Sequence, residues 1–121
     1  MKKKILIIED EAAIVELLRI LFTREGYEVS VCQTGRDALA TIKQVNPHLI
    51  ILDVMLPGLD GATLVRIMNE DPQLSSIPVI VSSALGESEK MFVAYPQVKA
   101  FCSKPFDLQN FIAKVKQAIG D

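Results

Sequence analysis

Apolar residues fall along this chain in short unbroken runs, separated by stretches in which they recur every three or four positions. Ile5 to Ile8, Leu49 to Leu52 and Val79 to Val81 are continuous runs of strand length, the pattern of strands buried on both faces. Val29, Val31 and Cys32 mark another strand within Tyr27 to Gln33, and Val98 to Cys102 predicts a fifth. Between the runs the period is helical. Glu11 to Glu25 carries Ile14, Leu17, Leu18 and Leu21, with Asp10 placed to cap its start and Gly26 to close its end. Thr34-Gly35 opens a helix with Ala38, Leu39 and Ile42, which Asn46-Pro47 stops. Gly61 to Asn69 presents Leu64, Val65 and Met68 and breaks before Pro72. Glu87 to Tyr95 reads as a weaker helix with Met91, Phe92 and Tyr95 inward, ended by Pro96. The last helix shows Leu108, Phe111, Ile112, Val115 and Ile119 between the caps Asp107 and Gly120.

Five strands alternating with five helices, each helix long enough to return the chain for a parallel pairing, predict an α/β fold. The sheet is open and doubly wound, with helices on both faces. Ligands of such sheets bind outside the carboxyl ends of the strands, where the strand order reverses. The first helix poses a separate question, because its apolar arc is wider than the roughly 100 degrees a core stripe needs. Val15 and Phe22 flank one side and Ala13 and Ile20 the other, leaving only Ala12, Glu16 and Arg19 turned to water. Two readings stay open: neighbouring helices cover both flanks, or an exposed flank near Val15 docks a partner helix.

Composition narrows the class. The 121 residues, half of them hydrophobic, suit one domain spanning 1–121 with a single substantial core. A net charge of -2 provides no basic field for nucleic acid or an anionic membrane, so direct nucleic-acid binding by this chain is not expected. Lys2-Lys3-Lys4 before Ile5 imitates a signal peptide, but the apolar run stops at Glu9-Asp10-Glu11. Nothing approaches the ~20 apolar residues of a membrane span, and a cytoplasmic protein is expected. The two cysteines offer no disulfide framework and read as reduced, buried thiols.

The chemistry begins where the apolar run Leu49 to Leu52 stops at one carboxylate, Asp53, ahead of the turn residues Pro57-Gly58. Alone, Asp53 is either a turn former or a reactive group. The other strand exits carry Glu9 and Asp10, Ser83, and Lys104, all on the same edge of the sheet. Three carboxylates brought together repel one another, and a hard divalent cation with a preference for oxygen relieves this, magnesium being the leading candidate. Magnesium takes phosphate oxygens, for which Lys104 and Ser83 supply a cation and a hydroxyl donor. A carboxylate can attack phosphorus to give an aspartyl phosphate. Asp53, between the metal acids and the Ser/Lys pair, is the candidate nucleophile. The plainer roles are a helix cap for Asp10, a cap without chemistry for Asp60, and a loop position for His48.

Four ordered segments sharpen this. Ile8-Glu9-Asp10-Glu11, Leu52-Asp53-Val54-Met55-Leu56-Pro57-Gly58-Leu59-Asp60-Gly61, Pro78-Val79-Ile80-Val81-Ser82-Ser83-Ala84 and Phe101-Cys102-Ser103-Lys104-Pro105-Phe106 resemble the signature of the receiver domains of bacterial two-component response regulators, and the likeness runs from Lys4 to Ile119. The resemblance implies a flavodoxin-like sheet of order 2-1-3-4-5 and Asp53 as phosphoacceptor. It implies that Glu9, Asp10, Asp53 and the Met55 backbone carbonyl hold Mg2+. Ser83 becomes the hydroxyl switch and Phe101 the aromatic one, moving to alter the surface of the fourth helix, fifth strand and fifth helix. Lys104-Pro105 is expected to be cis. The partners implied are a sensor histidine kinase or phosphotransfer protein and a downstream effector domain or target, with the chain a monomer or a weak phosphorylation-dependent dimer. That strand order puts Cys32 and Cys102 on opposite edges, too far apart for a disulfide.

The chain also departs from that family. Ala94-Tyr95-Pro96-Gln97 replaces the usual Gly-Ala pair before the fifth strand, and Asn110 and Lys114 stand where many DNA-binding regulators have Glu and Arg. Bulky apolar Met55 and Leu85, two residues beyond Asp53 and Ser83, are expected to hinder a hydrolytic water and slow autodephosphorylation. An aspartyl-phosphate phosphohydrolase of the haloacid dehalogenase type wants a second acid where Met55 stands. A flavodoxin-like cofactor site wants a Ser/Thr/Gly-rich phosphate loop in place of Glu9-Asp10-Glu11. A pseudo-receiver used only for assembly does not need the complete acid, Ser and Lys set.

Overall fold

Alternation decides how the apolar runs are used. In the computed structural model, which describes residues 2–83, 92 and 94–121, successive residues of each central strand enter two separate cores. Strand β1 (Lys4–Ile8) sends Ile5 and Ile7 to one face and Leu6 and Ile8 to the other, and β3 (Leu49–Asp53) divides Leu49 and Ile51 from Ile50 and Leu52 in the same way. With β2 (Glu28–Cys32), β4 (Val79–Ser83) and β5 (Val98–Ser103), they form one parallel sheet of order β2-β1-β3-β4-β5. The strand order and the two-faced burial agree with the sequence. Cys32 and Cys102 are free, buried and on opposite edge strands.

Helices α1 (Ala12–Arg24) and α4 (Leu108–Ile119) pack on one face, where Phe22 meets Phe111 edge-on at 5.5 Å and Phe106 meets Phe111 at 4.9 Å. Helices α2 (Gly35–Val45) and α3 (Gly61–Asn69) pack on the other. Three of the four helices among the described residues begin on side-chain caps: Thr34 accepts from Asp37 N, Asp60 from Thr63 N, and Asp107 from Asn110 N. The helix expected over Glu87 to Tyr95 lies mostly outside the described residues. Of its expected inward residues, Phe92 is buried and Tyr95 packs against the α2/α3 core.

Helix α1 departs from the sequence reading at two points. It is entered through Glu11 with no side-chain cap, so Asp10 does not serve as its cap. The face laid on the sheet is Val15, Leu18 and Phe22, with Ile14 and Leu21 half-buried beside it, whereas Leu17 and Ile20 are 41% and 51% exposed. A helix apolar nearly all round has no single inward face dictated by period. The ring of Phe22, seated against Tyr27 and Phe111, fixes its rotation. The flank of Val15 is therefore covered, and the opposite one, Ala13, Leu17 and Ile20, is open.

The loop after β3 is held by close backbone approach. Gly35 N donates to Pro57 O at 2.8 Å, and Gly58 adopts φ 91 to complete the turn. A Cβ on Gly35 would lie 2.3 Å from Leu59 O and 2.7 Å from Leu59 N, both backbone atoms that cannot rotate away. Gly35→Ala is therefore expected to lower stability by about 1–3 kcal/mol through overpacking. Urea denaturation measures it, and an unchanged midpoint would mean that the loop yields without cost.

Candidate functional site

Parallel pairing brings the ends of β1, β3, β4 and β5 to one edge, and the chemistry collects there. Asp53 closes β3 and Glu9 follows β1, both buried (6% and 1% exposed), while the neighbouring Asp10 is open to solvent. One carboxylate oxygen from each of Glu9, Asp10 and Asp53 lies within 4.8 Å of the others. Lys104, just past β5, donates to Glu9 Oε1 at 2.9 Å and stands 3.7 Å from Asp53 Oδ2. Its own N–H donates to Ser83 O at 3.0 Å, tying the exits of β4 and β5 together. The Lys104-Pro105 bond is cis, as the resemblance implied.

The two buried acids have backbone help. Glu9 Oε2 accepts from Asp10 N at 3.0 Å and Glu11 N at 3.3 Å, and Asp53 Oδ1 accepts from Met55 N at 3.3 Å. Charge balance is nevertheless incomplete, with three carboxylates around one ammonium. Burial, helped by the hydrogen bond and negative charge of Glu9, pushes the Asp53 carboxyl up to about 7 against the pull of Lys104 and Met55 N–H. Burial also works against Glu9 ionising, but hydrogen bonds from Asp53, Lys104 and Glu11 N–H outweigh it and hold Glu9 below its usual range. Burial opposes the Lys104 charge too, and the carboxylates of Glu9, Asp53 and Glu11 outweigh it, raising that ammonium's pKa. Burial and the neighbouring Glu9 charge thus favour a proton on Asp53 over one on Glu9.

Of the residues singled out from sequence, Glu9, Asp10, Asp53 and Lys104 converge. Ser83 is the half-buried last residue of β4, and Ser82, which pairs with Asp53, is buried. Met55 is 75% exposed beside the acids, and Leu85 lies outside the described residues. Phe101 is not in the cluster; it is half-buried on β5, its ring 6.2 Å from that of Phe92. Asp60 is the cap of α3. His48 is an exposed loop residue whose Nδ1 accepts from Lys4 N. Sequence reasoning missed Gly35, which braces the loop, and Gln97, buried before β5, whose amide donates to Leu74 O and Ile77 O. Neither sits in a chemical motif, so only the unusual residue types at a helix start and a strand start signalled them.

The family described as the response regulator receiver domain matches residues 5–116. The chain belongs to that family. This receiver is 38% identical over 117 residues to the response regulator PleD of Caulobacter vibrioides, a match covering 96% of this chain and 26% of PleD. The chain thus spans about a quarter of that relative's length. Its fold superimposes on the receiver domain of the Francisella response regulator 1452 with a TM-score of 0.87 at 28% identity, over 98% of both chains. The receiver domain of the sensor histidine kinase PA1611 from Pseudomonas aeruginosa shares the fold, with a TM-score of 0.88 at 21% identity over 100% of both, and holds a magnesium ion in its active-site cleft.

Among the described residues of this receiver no helix is long and apolar enough to cross a membrane.

The Asp53 shift has a stability consequence whose sign follows from linkage. A carboxyl raised from its ordinary ~3.9 to about 7 destabilises the fold as pH rises through that window, because the folded state keeps a proton the unfolded chain releases. Asp53→Asn has no such ionisation. In EDTA it is expected to be more stable than the parent by about 1–3 kcal/mol at pH 7.5 and equal to it near pH 4. Chemical melts across pH measure the difference; a gain that is the same at both pH values contradicts the assignment.

Proposed function

We propose that this receiver takes a phosphoryl group from the phosphohistidine of a sensor histidine kinase, or of a phosphotransfer protein, onto Asp53, and signals through a change of its own surface. The observation that carries the reading is a buried carboxylate, Asp53, facing two further carboxylates within 4.8 Å and the Lys104 ammonium at 3.7 Å. Such an arrangement is costly for folding alone, and it suits a group that must attack an anionic phosphorus.

The donor set fits a hard divalent cation: three carboxylates supply oxygens only, and their mutual repulsion is the charge excess such an ion removes. Glu9, Asp10, Asp53 and the Met55 carbonyl are the proposed ligands of Mg2+. When bound, the ion neutralises charge on the acids and on the phosphoryl oxygens. Asp53 then acts as nucleophile. One carboxylate oxygen bonds to phosphorus as the bond from phosphorus to the imidazole nitrogen breaks, and the imidazole leaves with the electron pair of that bond. Lys104 places its ammonium against the transferred oxygens, and Ser83 offers its hydroxyl to them from the end of β4. The chain is thus a signalling phosphoacceptor whose catalysis is limited to its own phosphorylation and dephosphorylation.

Output follows from the same geometry. Ser83 and Phe101 lie on the paired strands β4 and β5, so a hydroxyl drawn toward the phosphoryl group and a ring that follows it alter the face made by the segment before β5, by β5 and by α4. An effector domain or separate target protein reads that face. The open Ala13, Leu17 and Ile20 flank of α1 starts one turn beyond the acids and suits the apolar side of an incoming phosphodonor. Phosphohydrolase chemistry is disfavoured because the position for its second acid holds the exposed thioether of Met55.

Incubation with acetyl phosphate and magnesium is expected to add one phosphoryl mass to the intact chain. The adduct should be absent in EDTA and in Asp53→Asn. Failure of the parent chain to gain that mass, or an undiminished adduct on Asp53→Asn, would overturn the assignment.

Met55 donates its backbone N–H to Asp53 and leaves its side chain open to solvent, where its bulk would hinder the water that hydrolyses an acyl phosphate. Met55→Asn is expected to shorten the phosphoryl half-life severalfold, read by decay of the adduct mass. A half-life that is unchanged or longer rules the hindrance out.

A further inference from the structure

Beyond its apolar packing on the sheet, the last helix reaches the outer edge of β5 with an ammonium. Among the described residues strand β5 pairs with β4 alone, and Lys104 N donates inward to Ser83 O. By alternation, the backbone groups of Lys99, Phe101 and Ser103 turn to the open edge. Lys114 Nζ, from the middle of α4, donates to Phe101 O at 2.6 Å. Among the described residues Lys114 makes no ion pair with a carboxylate. Its charge is spent on that carbonyl, and charge-assisted bonds of this kind are among the stronger ones.

Two grooves between α4 and the β5 edge meet at this bridge. One, of about 280 Å³, is lined by Lys99, Ala100, Gln117, Ala118 and Lys114. The other, of about 270 Å³, runs along Phe101 to Ser103 and ends at Pro105, Phe106 and Asn110. Lys114 lines both and divides them. The residue it grips is Phe101, whose ring packs on Phe92 on the opposite face of the sheet from α4. A shift of the backbone bearing that ring along the edge would stretch the bridge.

We propose that Lys114 is a positioning residue, a latch whose bond to the Phe101 carbonyl favours the unphosphorylated arrangement of β5 and α4 and must loosen when Asp53 is loaded. This rests on the phosphoacceptor reading above and adds to it the group that sets the switch's resting position. A lysine that merely blunts an edge strand against aggregation has no coupling to Asp53, and this separates the two roles. Coupling between sites is reciprocal. If loading Asp53 weakens the latch, removing the latch strengthens loading by the same factor.

The test uses beryllofluoride with magnesium, a reversible mimic of a phosphoryl group on a carboxylate, titrated calorimetrically into the parent chain, Lys114→Met and Lys114→Arg. Lys114→Met keeps the aliphatic stem and loses the donor; Lys114→Arg keeps a cationic donor. Lys114→Met is expected to bind about fivefold more tightly than the parent, with Lys114→Arg close to the parent. Hydrogen exchange is expected to rise across residues 98–103 when the parent is loaded, and to be already raised in unloaded Lys114→Met. Equal or weaker binding by Lys114→Met overturns the latch while leaving the phosphoacceptor reading intact. So does exchange at 98–103 that is indifferent to loading. No binding by the parent, with no acetyl phosphate adduct, overturns both.

Discussion

Parallel strands end together, and most of what is chemically specific in this receiver follows from that constraint. Glu9 and Lys104 are 95 positions apart in sequence yet 2.9 Å apart in space, because β1 and β5 run in the same direction and deliver their next residues to one edge. The same arrangement brings Asp53 into line with them and leaves Ser83 beside Lys104. The sheet can do this because its central strands are apolar on both faces, so the two cores hold it rigid independently of the polar edge. Precision at the edge comes from elements that take no part in the chemistry.

That edge is in electrostatic tension. Two buried carboxylates and a third close by share one ammonium, and the ammonium bonds more closely to Glu9 than to Asp53. Lys104 therefore settles the Glu9 charge and leaves Asp53 holding a proton at a pH where an ordinary aspartic acid has lost it. A proton on Asp53 spares the fold a buried charge, and in the proposed reaction it would have to leave before attack on phosphorus. A counter-charge held by Glu9, Asp10 and Asp53 would favour the ionised Asp53 that the proposed reaction needs. The cost to the fold and the readiness for chemistry are the same interaction seen with and without the counter-charge.

Much of this was legible in the sequence because the signals are local. Continuous runs such as Ile5 to Ile8 mean burial on both faces, and Asp60, Asp107, Asn46 and Gly120 mark helix ends by their own conformational preferences. Strand exits bearing acids, serine and lysine could be placed on one edge once the strands were parallel. What escaped depends on distant partners. The rotation of α1 is set by Phe22 against Phe111, so Leu17 and Ile20, which have the right period for a core, are left outside. Asp10 stands where a cap belongs, but Glu11 enters the helix and Asp10 joins the acids. Gly35 looks like a poor helix residue until the backbone of Leu59 is found against it.

Gly35 and Lys114 show how the edge connects to the rest of the molecule. The loop that carries Met55 past Asp53 is not held by its own hydrogen bonds alone; Gly35 N on α2 donates to the Pro57 carbonyl, so the start of one helix braces the loop on one side of Asp53. On the other side, Lys104 N and Lys114 Nζ hold β5 from its two edges, the first through Ser83 and the second through Phe101. The first contact binds β5 to the site and the second binds it to α4. A strand gripped on both edges cannot respond to one side without altering its contact on the other, and in this receiver the residue gripped on the outer edge carries the ring that packs on Phe92. The acids and α4 are thus joined across β5, by the Lys104 ammonium on Glu9 at one end and by the Lys114 ammonium on the Phe101 carbonyl at the other.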